Sequence, residues 1–182
     1  VFIGDSITHY MDRHAAGMPE QSFPGVKTLN LGYSADKTEN VLWRLQNGEF
    51  AGLKPKLVVV MIGTNNSGHR KDPASETALG IRLILNELRQ QSPQSKVLLL
   101  SIFPRGESED DQYRKINQEV NELLPLLADE EKVFHLDINQ KFLDKGGRLK
   151  RELMPDLLHP NRAGYEVWLK SIKPTVDKLM GK

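Results

Sequence analysis

The chain has 182 residues, 38% hydrophobic and 27% charged, enough for one soluble domain with a sizeable core. A formal charge of +1 with scattered lysines and arginines gives neither nucleic acid nor an anionic membrane a patch to bind; the densest basic cluster, Arg148 to Arg151, reads as a solvated face. The absence of cysteine excludes disulfides, thiolate catalysis and cysteine metal sites, and no apolar run approaches the ~18 residues of a membrane span.

The chain opens on Val1-Phe2-Ile3, an apolar strand running into Gly4-Asp5-Ser6. A central strand is normally ~5–6 residues long, so this one reads as truncated. Residues upstream of Val1, with room for a signal peptide among them, are expected, and the compartment stays open between cytoplasm and secretion. Ile7 to Met18 reads as a weak helix giving way to a loop, with Pro19 and Pro24 as breakers. Lys27 to Gly32 is a strand ended by glycine. Asp36 or Thr38 is placed to cap a helix carrying Val41, Leu42 and Leu45, which stops at Asn47-Gly48.

Leu57 to Ile62 is an unbroken apolar run with three valines, the pattern of a strand covered on both faces. It ends at Gly63, and a polar loop from Thr64 to Pro73 leads to a helix with Ile81, Ile84, Leu85 and Leu88 in register. Lys96 to Phe103 is the next buried strand, stopped by Pro104. An acidic loop, Gly106 to Asp111, precedes a helix with Ile116, Val120, Leu123, Leu124 and Leu127. Val133 to Ile138 is the fifth strand, Lys145-Gly146-Gly147 a turn, and Asp156 to Pro160 a break. The last helix carries Tyr165, Trp168, Leu169, Ile172, Val176 and Leu179, with a kink predicted at Pro174.

No repeat or linker interrupts this alternation, so residues 1–182 read as a single domain. Apolar strands alternating with helices predict an α/β three-layer α/β/α sandwich: a five-stranded parallel sheet, strand order 2-1-3-4-5, in the flavodoxin-like arrangement. Right-handed crossovers leave the ligand crevice at the carboxyl ends of the strands. The residues just past those ends are Gly4-Asp5-Ser6, Gly32, Gly63-Thr64-Asn65-Asn66 and, before the last helix, Asp156-Leu157-Leu158-His159-Pro160.

Together these are the parts of an acyl-transfer site. A serine hydroxyl needs a base near neutrality, which imidazole supplies, and the imidazole needs a carboxylate on its other nitrogen. Ser6, His159 and Asp156 supply the three. An oxyanion needs donors already in place, and the N–H groups of Ser6 and Gly32 with the Asn65 amide could provide them. Each piece has an ordinary reading as turn or cap chemistry, but all four would have to be ordinary at converging positions. Among the other polar residues, His9 and His69 line the substrate mouth or are solvated. His14 gives no signal, His135 is packed or at an edge, and Arg105 contacts substrate or forms an ion pair. Trp43 and Trp168 are read as core. No His/Asp/Glu cluster has metal-ligand spacing, so no metal or cofactor is expected.

The four blocks, Gly4-Asp5-Ser6, Gly32, Gly63-x-Asn65 and Asp156-x-x-His159, resemble in order and spacing those of the SGNH (GDSL) hydrolases, over essentially the whole chain. Val41 to Glu49, Gly63 to Asn66 and Pro104 to Glu107 are similar to the catalytic subunits of intracellular platelet-activating factor acetylhydrolase and their bacterial relatives. The resemblance implies Ser6 as nucleophile, His159 as base, Asp156 as its orienting acid, and Ser6, Gly32 and Asn65 as the oxyanion hole. It also implies a small-molecule ester substrate with a short acyl chain, acetyl above all, no metal, and a homodimer as an open arrangement. Many relatives carry Asp where this chain has Asn66. Carbohydrate and lipid acetyl esters both stay open as substrates. The rivals are a non-catalytic flavodoxin-like module, disfavoured because no phosphate-cradling glycine loop follows the first strand, and a sugar-binding or scaffolding relative without turnover.

Overall fold

In the computed structural model, which describes residues 1–182, five parallel strands form one sheet in the order β2-β1-β3-β4-β5. They are β1 (Phe2–Gly4), β2 (Asn30–Gly32), β3 (Leu57–Met61), β4 (Lys96–Leu100) and β5 (Val133–Leu136). β1 is central, with Phe2 opposite Asn30 on one side and Val59 on the other. The expected order and layering are what the chain adopts.

The two layers follow from the alternation of strand side chains. Phe2, Val59, Met61, Leu98 and Leu100 face one side, where Trp168, Leu169 and Ile172 of α7 (Arg162–Met180) cover them. Ile3, Val58, Val60, Val97 and Leu99 face the other. There they meet Val41 and Leu45 of α4 (Thr38–Gln46), Ile81, Ile84 and Leu85 of α5 (Ala74–Gln91), and Val120 of α6 (Gln112–Leu123).

Several local expectations are corrected. The stretch after Ser6 is three short helices, α1 (Ser6–His9), α2 (Met11–His14) and α3 (Met18–Ser22). Pro19 lies in the first turn of α3, where a missing N–H costs nothing, so it starts a helix instead of breaking one. The cap of α4 is neither Asp36 nor Thr38. Lys37 holds that position, its N–H donating to Asn40 Oδ1 at 2.9 Å, while Asp36 is engaged by Arg44 and the Thr38 N–H by Asn66 Oδ1. Trp43 is 63% exposed, because the buried stripe of α4 is Val41 and Leu45 and a residue two positions from Val41 points roughly 200° away. Trp168 is core, as read. The supposed loop after β3 contains a π-helix, Asn66–Arg70, anchored by Asn66, whose side-chain amide donates to Asp72 at 3.0 Å. α7 continues through Pro174 as one element.

Candidate active site

β1 ends at Gly4, and the chain turns at once into α1. The Asp5 carboxylate caps that helix by accepting the Ile7 N–H at 2.9 Å, which places Ser6 at its first position, 6% exposed. From the loop before α7, His159 reaches back so that its Nε2 lies 2.9 Å from Ser6 Oγ. Its Nδ1 lies 2.6 Å from Asp156 Oδ2. Asp156 Oδ1 accepts the N–H groups of Leu158 at 3.0 Å and His159 at 2.7 Å, closing a tight turn in which Leu157 takes a φ of +61°.

Burial works to raise the Asp156 pKa, but the His159 N–H, the His159 ring and the Leu158 N–H together hold the carboxyl below its ordinary value. The two distant segments are tied directly: the Tyr165 hydroxyl of α7 donates to the Ile7 carbonyl of α1 at 2.7 Å. The Tyr10 ring packs on His159 with centroids 5.1 Å apart. Asp5 is wholly buried, and loss of hydration pushes its carboxyl up to about 7. Asp36 adds to that push, while the Ile7 N–H and Arg105 oppose it.

The donors on the other side of Ser6 fall out differently from the sequence reading. The Ser6 N–H, first in its helix, is one that a helix leaves without an intrahelical acceptor. Asn65, 4% exposed, gives one amide hydrogen to the Asp36 carbonyl at 3.0 Å and keeps its second free. The Gly32 N–H is already committed to Asn30 Oδ1 at 2.9 Å. What Gly32 supplies is close approach, since a Cβ there would run into the His9 nitrogen and lie 2.7 Å from Thr8 Cβ. Two backbone N–H groups of this turn, those of Ser34 and Ala35, make no hydrogen bond within the protein, and Ala35 is the one held in the left-handed region, at φ +66°. Sequence reasoning missed it because a left-handed position is normally betrayed by glycine, and here it is filled by alanine. The only signal was a polar turn, Tyr33 to Asp36, directly after a strand.

The other candidates take quieter positions. His9 Nδ1 lies 3.0 Å from Ser34 Oγ, and His69 is exposed on the π-helix. His14 stacks on Tyr165, while His135 is half-buried with Nε2 3.0 Å from Ser101 Oγ. Arg105 has no carboxylate partner, so of the two roles read for it the ion pair is absent; its Nη1 donates to the Thr64 carbonyl at 2.8 Å and its guanidinium lies over Tyr113. No three His, Cys, Asp or Glu side chains converge as a metal site, and no helix is long and apolar enough to cross a membrane.

Comparison with known proteins gives the family. The model of the GDSL-like lipase/acylhydrolase family matches residues 2–167. The platelet-activating factor acetylhydrolase IB subunit alpha1 of Bos taurus is 38% identical over 181 residues, covering 99% of this chain and 75% of that protein. The alpha2 subunit of Rattus norvegicus is 35% identical over 184 residues, with 99% and 76% covered. A solved GDSL-like lipase from Bacteroides thetaiotaomicron superposes with a TM-score of 0.80 at 21% identity, over 97% of this chain and 86% of that one. The carbohydrate acetylesterase Est24 of Sinorhizobium meliloti gives 0.76 at 19% identity, over 98% and 97%. The two solved structures share the fold, whereas the family match runs from β1 into α7 and the curated relatives align along the whole chain. The chain therefore belongs to the GDSL-like lipase/acylhydrolase family and is a carboxylic ester hydrolase.

Proposed function

We propose that the protein is a serine esterase that removes short acyl groups, acetyl foremost, through a Ser6–His159–Asp156 triad and an acyl-enzyme. The observation that carries this reading is the unbroken relay of 2.9 Å from Ser6 Oγ to His159 Nε2 and 2.6 Å from His159 Nδ1 to Asp156 Oδ2. With the proton on Nδ1 and donated to Asp156, Nε2 is left bare to accept the Ser6 proton; this tautomer is assigned from the carboxylate partner.

Ser6 Oγ attacks the ester carbonyl carbon as its proton passes to His159 Nε2. The oxyanion accepts hydrogen bonds from the Ser6 N–H, the free Asn65 amide hydrogen and the Ala35 N–H, which takes the role expected of Gly32. Collapse breaks the bond to the alcohol oxygen, which leaves with the proton from His159. Water then attacks the acyl-enzyme with His159 again as base, releasing the carboxylic acid and restoring Ser6. Preorganised donors of this kind are each worth about 3–4 kcal/mol of barrier. The acetylhydrolase relatives, by their name, act on platelet-activating factor, and that favours an acetylated phospholipid over an acetylated saccharide.

The test is hydrolysis of p-nitrophenyl acetate. Ser6→Ala is expected to fall to background while its circular dichroism stays native; turnover in that variant would exclude Ser6 as the nucleophile. Asn65→Ala is expected to lower kcat by about 10²–10³ with little change in KM, because the donor acts mainly in the transition state. Acetate release from acetylated phospholipids and from acetylated saccharides, compared side by side, decides the alcohol.

A further inference from the structure

The free N–H of Ala35 and the Asn65 amide are both arranged by one short turn, Tyr33 to Asp36. That turn is fastened at its start, where the Tyr33 N–H donates to the Gly4 carbonyl at 3.0 Å, just before Ser6. It is closed on itself by the Asp36 N–H to the Tyr33 carbonyl at 3.2 Å. The Asp36 carbonyl in turn holds the Asn65 amide. One side chain from outside grips both ends. Arg44, on α4, makes a two-pronged pair with Asp36, Nε to Oδ2 and Nη2 to Oδ1, each at 2.9 Å, and its guanidinium carbon lies 3.8 Å from the centre of the Tyr33 ring.

Between these grips sits Ala35, a residue with a Cβ held in the left-handed region. That conformation is unfavourable for any residue but glycine and persists only where the surroundings over-determine it. Asp36 is 5% exposed, so its carboxylate needs the guanidinium as a partner to stay in place. A planar fork that also stacks is a property of arginine and not of lysine.

We propose that Arg44 is a positioning residue for the oxyanion hole, clamping Tyr33 and Asp36 so that the Ala35 N–H and the Asn65 amide point at the reacting carbonyl. The proposal rests on the esterase reading above. Arg44 acts through the turn, so its removal disturbs donors that count in the transition state.

The experiment is steady-state hydrolysis of p-nitrophenyl acetate by Arg44→Ala, Arg44→Lys and the double variant Arg44→Ala with Ala35→Gly, each checked by circular dichroism. Arg44→Ala is expected to lose on the order of 10–100-fold in kcat with KM within about threefold. Arg44→Lys is expected to recover little of it. Glycine at position 35 adopts the left-handed conformation without strain, so the double variant is expected to regain about tenfold. A mere loss of packing would give no such rescue. Unchanged kcat in Arg44→Ala, or a double variant no faster than the single one, overturns the proposal. If Arg44→Ala does not fold, Arg44→Lys with and without Ala35→Gly carries the same comparison. Asn65→Ala losing kcat while Arg44→Ala keeps it would remove the clamp alone; Ser6→Ala keeping turnover would remove the esterase reading itself.

Discussion

Asp156 has the most water-exposed side chain of the relay, 55% against 24% for His159, and yet it is bound from three directions. Its Oδ1 is held by two backbone N–H groups, which leaves Oδ2 as the atom that meets His159 Nδ1. In Asp156→Asn the carbonyl oxygen would keep those N–H groups, turning the amide nitrogen toward Nδ1. A donor there forces the proton onto Nε2, the wrong tautomer for accepting from Ser6. The expected outcome is a kcat lower by on the order of 10²–10⁴ with the fold intact, read in the p-nitrophenyl acetate assay. A loss within threefold would show that the carboxylate is not orienting the base. Ser6, His159 and Asp156 were legible in the sequence because their spacing reflects local geometry: a serine one turn past a strand, an acid and an imidazole three residues apart. Ala35 was not legible, because a backbone angle leaves no mark on an alanine. Trp43 misled for the converse reason, its hydrophobicity saying nothing of which way it faces.

At the scale of elements, the sheet and its covering helices could be read from apolar periodicity, while boundaries could not. Ile62, Ile102 and Phe103 are 1% exposed although they lie beyond the paired ends of β3 and β4. Burial dictates hydrophobicity, whereas strand pairing ends where the neighbouring backbone ends, and only the first is written in side chains. The contact between β2 and α1 is the boundary that matters most, since α1 begins with Ser6. Gly32 permits it by having no Cβ to strike His9 and Thr8. Gly32→Ala is therefore expected to cost about 1–3 kcal/mol in a urea titration, through overpacking of helix on strand. Stability equal to the unsubstituted protein would show that α1 has room to move, and that this glycine marks only a turn.

For the molecule as a whole, placing a parallel sheet's functional edge over its central strand brings a cost: Asp5 is buried there at 1% exposure with its carboxyl pushed up to about 7, chiefly by lost hydration. An unfolded aspartic acid titrates near 3.9, so between about pH 4 and 7 the folded protein binds more protons at this site than the unfolded chain does. Stability from this group is thus fully present below the unfolded value and is lost as pH rises through about 7, by on the order of 4 kcal/mol in all. This is the reverse of the effect of Asp156, whose lowered pKa contributes stability above the unfolded value that is lost as pH falls through the folded one. Asp5→Asn keeps the cap on Ile7 while fixing the neutral state at every pH. The free energy of the unsubstituted protein minus that of the variant, from urea titrations at several pH values, is expected to fall between pH 4 and 7 and then level off. A flat difference would mean that Asp5 ionises as if hydrated, which a side chain this deeply buried cannot do unless the edge opens.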